Sequence, residues 1–207
     1  MTRRAWLEAH LDCLSPSAIA CELRSDHMIA ILKHARDESR NGGREVCGLL
    51  MGRPSGHLDL RPLANTAEGP SRWAIDPTEL RAAWAELKRE SCAYLGTYHS
   101  HVRGFPYPGE ADRKWAGSAE LMLILDANSG LLGLWRNRPK GSSGSWTAIP
   151  IWCSAIGISP QTAALYSRQL ETQFLHTVRR ARTWRPWWDL DEFSRGIRVL
   201  NAFSKLL

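Results

Sequence analysis

Apolar positions change period several times along this chain, and the changes divide it into strands and helices. Residues 18–23 read as a short strand. Residues 26–39 carry Met28, Ile31, Leu32 and Ala35 at helical spacing, and Asn41-Gly42-Gly43 supplies the stop. Residues 46–51 form a wholly apolar run before Gly52, the pattern of a buried strand, and residues 57–63 alternate as a half-buried strand does. Asp76-Pro77-Thr78-Glu79 predicts a helix start with Asp76 as cap, Pro77 in the first turn and Glu79 completing a capping box; the helix should reach about Glu90. Residues 92–100 then read as a strand and 102–109 as a loop rich in Pro and Gly. A further helix is expected near Gly109 or Glu110. Residues 121–125, 131–135 and 146–152 read as three more strands, separated by turns at 128–130 and 140–144.

Strands interleaved with helices predict a mixed α/β fold for the first part of the chain, with a domain over residues 1–153. Beyond it the pattern is helical. Ser159-Pro160 opens a segment in which Tyr166, Leu170, Phe174 and Val178 recur every four residues. After a proline break within 184–188, Phe193, Ile197, Leu200, Phe203 and Leu207 form a second stripe. Residues 154–207 are therefore expected to form a C-terminal helical extension.

Composition narrows the picture. The 207 residues are 43% hydrophobic and 23% charged, the balance of a globular protein, and no apolar run approaches a membrane span. Met1-Thr2-Arg3-Arg4 is basic but lacks the apolar stretch of a secretory signal. Five cysteines without a C-x-x-C pair argue against a disulfide framework or a cysteine zinc site and point to a reducing cytoplasm. The net charge is +6, with eight Lys/Arg against four Asp/Glu in residues 154–207. Arg179, Arg180, Arg182, Trp184, Arg185, Trp187 and Trp188 mix cations with aromatics as single-strand nucleic-acid binders do. A Trp-packed helical pair with an arginine-rich face, or a docking surface, accounts for them better.

The chemistry concentrates in Tyr98-His99-Ser100-His101, followed ten residues later by Asp112. On a strand, His99 and His101 project to one face and Ser100 to the other, where a structural role is expected. Two imidazoles with a carboxylate from the next helix suit a divalent metal and leave a position open, the pattern of a catalytic zinc site whose bound water has a pKa of roughly 7. Glu45 lies just ahead of a very apolar strand and is the candidate general base. A Cys47/His99 thiol protease is the competing chemistry, with Cys47 as a small buried residue the simpler reading.

Glu45 ahead of Cys47-Gly48-Leu49-Leu50-Met51-Gly52, then His99-Ser100-His101, ten residues and Asp112, with Pro108 four residues before it, resembles the JAMM (MPN+) zinc metalloprotease family over roughly residues 18–153. The resemblance implies a JAMM, cytidine-deaminase-like mixed sheet flanked by helices. It implies zinc held by His99, His101 and Asp112, with Glu45 activating the zinc-bound water. It further implies cleavage after the C-terminal tail of a ubiquitin-like protein, by deconjugation or precursor processing. Alternatives are exposure of the diglycine end of a sulfur-carrier protein, or a non-catalytic MPN-like scaffold that binds partners. Activating and conjugating enzymes of the same pathway, in some cases in antiviral operons, are the implied partners, with a homodimer through the C-terminal helices. The short connections at 65–75 and 136–145 indicate a compact bacterial type. Two positions depart from the family: Gly109 stands where it has Ser, whose hydroxyl helps stabilise the oxyanion, and Val102 where it has Pro.

Overall fold

The structure, a computed structural model, describes residues 1–12, 21–23, 25–102, 104–115, 121–138, 145–152 and 160–180. In chain order the elements are α1 (Arg3–Leu7) with a wider π-helical continuation (Glu8–Asp12), β1 (Cys21–Glu22), α2 (Ser25–Gly42), β2 (Cys47–Gly52) and β3 (Leu58–Leu63). There follow α3 (Pro77–Arg89), β4 (Ala93–His101), α4 (Glu110–Trp115), β5 (Leu121–Asp126), β6 (Leu132–Arg138), β7 (Ser145–Ile149), β8 (Ile151–Trp152) and α5 (Pro160–Arg180). Six strands form one mixed sheet in the order β3-β2-β4-β5-β6-β7, and β1 pairs with β8 in a parallel two-stranded sheet. This is the mixed α/β fold that the interleaved pattern predicts, with the mixed sheet flanked by helices that the resemblance implies. Among the described residues no helix is long and apolar enough to cross a membrane.

Within the large sheet β4 and β5 run parallel, so the chain must leave the C-terminal end of β4 and travel back before β5 begins. The 102–109 loop and α4 lie in that return. The helices cover both faces. On one, Trp6, Met28, Ile31, Leu32 and Ala35 bury against Leu50, Leu60, Leu95, Leu123 and Leu134. On the other, Ala83 and Leu87 of α3 pack on Leu49, Met51 and Leu63, while Leu170 and Phe174 of α5 pack on Met122, Ile124, Trp135 and Trp146. The first half of the expected C-terminal stripe thus lies directly on the sheet. The second stripe and the Trp184–Trp188 cluster lie outside the described residues.

A bulge in β4 decides which face carries the histidines. Leu50 pairs with Gly96 but Met51 pairs with Tyr94, leaving Leu95 as an extra residue. The insertion resets the alternation, so Ala93 and Leu95 share a face with Tyr98, not with His99. His99 lies opposite Cys47 on β2 and Ile124 on β5, on the side covered by α3 and α5.

Three local expectations change in the fold. Residues 57–63 do not alternate cleanly: Asp59 is fully buried, because Arg53 reaches it with Nε at 2.6 Å and the Leu60 amide donates to it at 3.0 Å. Asp76 caps α3 by accepting from the Thr78 and Glu79 amides, but the capping box gives way to a tertiary bond in which Glu79 accepts from the Ala64 amide at 3.2 Å. The apolar run at 146–152 divides at Pro150, with β7 pairing to β6 and β8 to β1.

Candidate metal centre

His99 and His101 stand two residues apart near the end of a stiff strand, and the first turn of α4 brings Asp112 across from the other side of the loop. His99 Nε2 and His101 Nε2 lie 3.2 Å apart. Asp112 Oδ1 is 3.3 Å from His99 Nε2, and Asp112 Oδ2 is 3.4 Å from His101 Nε2. An ion bonded tetrahedrally at ~2.0–2.1 Å places its ligand atoms roughly 3.3–3.4 Å apart, and each of the three contacts, with Asp112 turning a different oxygen to each histidine, is close to that spacing. His99, His101 and Asp112 form the one group of this kind among the described residues. Two neutral imidazoles and a carboxylate are the donor types that zinc accepts, and the residues present fit that ion.

The surroundings fix each donor. His101 Nδ1 donates to the Phe105 carbonyl oxygen at 2.9 Å, which leaves the Nε2 lone pair turned toward the shared point. Phe105 is held in turn because Pro106, its neighbour, accepts from Trp135 Nε1 at 2.7 Å. Gly133 permits that approach: a Cβ there would stand 2.1 Å from the Pro106 carbonyl oxygen. Asp112 Oδ2 accepts from the Gly109 amide at 2.8 Å, and Arg113 Nη1 donates to the Pro108 carbonyl at 3.0 Å. The Trp73 ring stacks on His99 with centroids 5.3 Å apart and planes at 19°.

Charge follows burial. Burial pushes the His99 imidazole below its usual range, with the Asp112 bond opposing, so the ring favours its neutral, ligand-competent form. Burial also opposes a charge on His101, but its bonds to Asp112 and the Phe105 carbonyl prevail and raise it. Desolvation works against Asp112 as well; the hydrogen bonds from His101 and His99 outweigh it and hold the carboxyl well below the ordinary carboxylate range.

Glu45 is buried beside β2, and desolvation raises its carboxyl to about 7, with the charge of His101 pulling it down and that of Asp112 pushing it up. It therefore senses the centre electrostatically without being one of the three converging donors. Ser100 locks the two strands here: the Val46 amide donates to Ser100 Oγ at 2.9 Å, and the Ser100 amide donates to the Val46 carbonyl at 2.9 Å. That is the structural role expected of it. Cys47 is fully buried, and burial pushes its thiol up to about 12, which leaves no thiolate for a cysteine-protease mechanism. Trp73, Phe105, Trp135 and Gly133 are contributions that sequence reasoning missed, since no spacing connects them to the histidines.

Residues 24–138 match the model of a family described as prokaryotic homologs of the JAB domain. The chain belongs to this family. The matched stretch runs from the start of α2 through β6 and includes Glu45, His99, His101 and Asp112. A desampylase from Pyrococcus furiosus is 34% identical over 68 residues, which is 33% of this chain and 49% of that protein, so the match spans about half of the relative's length. A solution structure of a protein from Desulfitobacterium hafniense has 24% identity over 64% of this chain and 92% of its own, with a TM-score of 0.53, and shares the fold of this JAB-family member.

Proposed function

We propose that the protein is a zinc-dependent isopeptidase or peptidase that cleaves after the C-terminal tail of a ubiquitin-like protein. The observation that carries the reading is the convergence of His99, His101 and Asp112 beside a buried Glu45. Similarity to a protein named desampylase supports the substrate class. Zinc held by His99, His101 and Asp112 would supply Lewis acidity, polarising the scissile carbonyl and acidifying a water.

Glu45 is the proton carrier. Its raised affinity for a proton suits it to take one from the attacking water and release it to the leaving amine. One C–O bond forms, the amide C–N bond breaks, and the carboxylate returns to its starting state. His101, tied through Nδ1 to Phe105, keeps its orientation throughout.

Gly109 favours a second reading. It has no hydroxyl to meet the oxyanion, and its own amide, which could otherwise replace that donor, is already given to Asp112. A non-catalytic, partner-binding JAB-family subunit would keep the metal ligands and lack turnover. Elemental analysis and cleavage of a ubiquitin-like protein fused to a reporter, with Glu45→Ala as control, separate the two. One zinc per chain with Glu45-dependent cleavage is the expected result; a metal-free protein without Glu45-dependent cleavage supports the scaffold. Trimming of a sulfur-carrier protein uses identical chemistry and is distinguished by the fusion that is cut.

A further inference from the structure

The segment that connects β3 to α3 folds back over the stretch that carries Glu45, and one side chain holds the two together. Asn65 Nδ2 donates to the Glu45 carbonyl and to the Arg72 carbonyl, each at 2.8 Å. Its Oδ1 accepts from the amides of Ala67 at 2.9 Å and Ala74 at 3.1 Å. An asparagine amide has two donor hydrogens and two acceptor lone pairs, and all four are used. Arg72 and Ala74 flank Trp73, the residue stacked on His99. The Asn65 backbone takes part as well: its carbonyl accepts from Arg44 Nη2 at 2.7 Å, and it bridges to Ile75.

We infer that Asn65 is a positioning residue that sets the Glu45 main chain and the Trp73 indole against the metal centre with a single amide group. The inference rests on the reading of Glu45 as general base. Its physical basis is the length of what it spans. Glu45 is 20 residues away, in the connection between α2 and β2. The turn carrying Arg72 and Ala74 is tied to the Asn65 end of the loop by one isolated bridge to Ile75 and the bond from the Thr66 amide to the Ala74 carbonyl, neither of which reaches Glu45. Val46 is already pinned to Ser100 from the β4 side, so Asn65 provides the opposing restraint on Glu45 from the loop side. A small displacement of a proton-transferring group, caused by a change at a remote residue, is enough to slow catalysis markedly.

The decisive substitution is Asn65→Asp. It preserves the shape and both acceptor bonds to Ala67 and Ala74, and sets an oxygen against the Glu45 and Arg72 carbonyls. The zinc-loaded full chain would be compared as wild type, Asn65→Asp, Glu45→Ala and the double variant, on a ubiquitin-like protein fused through its C-terminus to a reporter. Asn65→Asp should keep its zinc and its KM and lose about tenfold or more in kcat. The double variant should be no slower than Glu45→Ala alone, because Asn65 acts through Glu45. A merely structural role would lower melting temperature and leave the folded enzyme's kcat intact, or give losses that multiply; either result overturns the inference. A second measurement needs no substrate. The His99 Hε1 resonance, shifted by the indole ring, should move in Asn65→Asp toward its position in Trp73→Ala, and an unmoved resonance overturns the inference. If Glu45→Ala cleaves as fast as wild type, it is the base assignment that fails, and the His99 resonance alone then decides whether Asn65 holds the Trp73 loop.

Discussion

His101 Nδ1 donates to the Phe105 carbonyl oxygen at 2.9 Å, and this bond determines which ring nitrogen faces Asp112. The loop that follows β4 thereby acts as a mould for the strand's last side chain. The mould depends on Gly133 and Trp135, two strands away, which seat the neighbouring Pro106 carbonyl. Gly133→Ala should push the loop off the sheet and weaken zinc binding about 10–100-fold, as lost support of a metal-ligating imidazole does. Competition against a chromophoric chelator measures it. Unchanged affinity would show that the loop does not orient His101.

Removing a donor should remove the metal. His99→Ala or Asp112→Ala is expected to lower zinc from one equivalent to none on elemental analysis, because two remaining donors are too few for a protein zinc site. Wild-type affinity should also fall as pH drops. His101 holds its proton to a higher pH than an ordinary histidine, so proton and metal compete for its Nε2 earlier than they otherwise would. Pulse titrations at stepped pH test the direction.

Glu45 makes the metal-free protein sensitive to pH. An unfolded glutamate titrates near ~4.3 and the folded one at about 7, so between these values the folded chain binds the extra proton. Stability from this group therefore falls as pH rises across that window, by at most ~4 kcal/mol. Glu45→Gln should stabilise the metal-free protein at pH 8 and leave it unchanged at pH 4, as read by urea denaturation. Equal stabilisation at both values would show that the burial of Glu45 does not oppose its charge.

Thiol reagents should leave the proposed activity unharmed. Cys47 is fully buried with its thiol pushed up to about 12, so brief alkylation at pH 7.5 is expected to spare activity, and Cys47→Ala should remain competent. Inactivation in step with modification of Cys47 would restore the thiol mechanism.

Phe174 anchors α5, with its ring 5.0 Å from Trp135 and 5.9 Å from Tyr107. Phe174→Ala should cost ~3–5 kcal/mol by calorimetry, the range for truncating a buried aromatic. A smaller loss would mean that α5 adds little to the sheet.

The amino-acid sequence determined most of the elements, though not α1 or the division between β7 and β8, and it singled out the three side chains that the fold brings together. Period-two and period-3.6 patterns are local properties, and His99, His101 and Asp112 stand on neighbouring elements, so their spacing along the chain carried the meaning. Glu45 was legible because a carboxylate ahead of six buried residues is chemically out of place. The tertiary structure alone decided the rest. Alternation from Ala93 and Leu95 would have placed His99 and His101 under α2, and the bulge at Leu95 turned them to the opposite face. Asn65 and Trp73, Phe105 and Gly133 serve the centre through main-chain bonds and close approaches across other elements. Such contacts depend on where a backbone passes in space, and residue type along a single strand or helix carries no record of it.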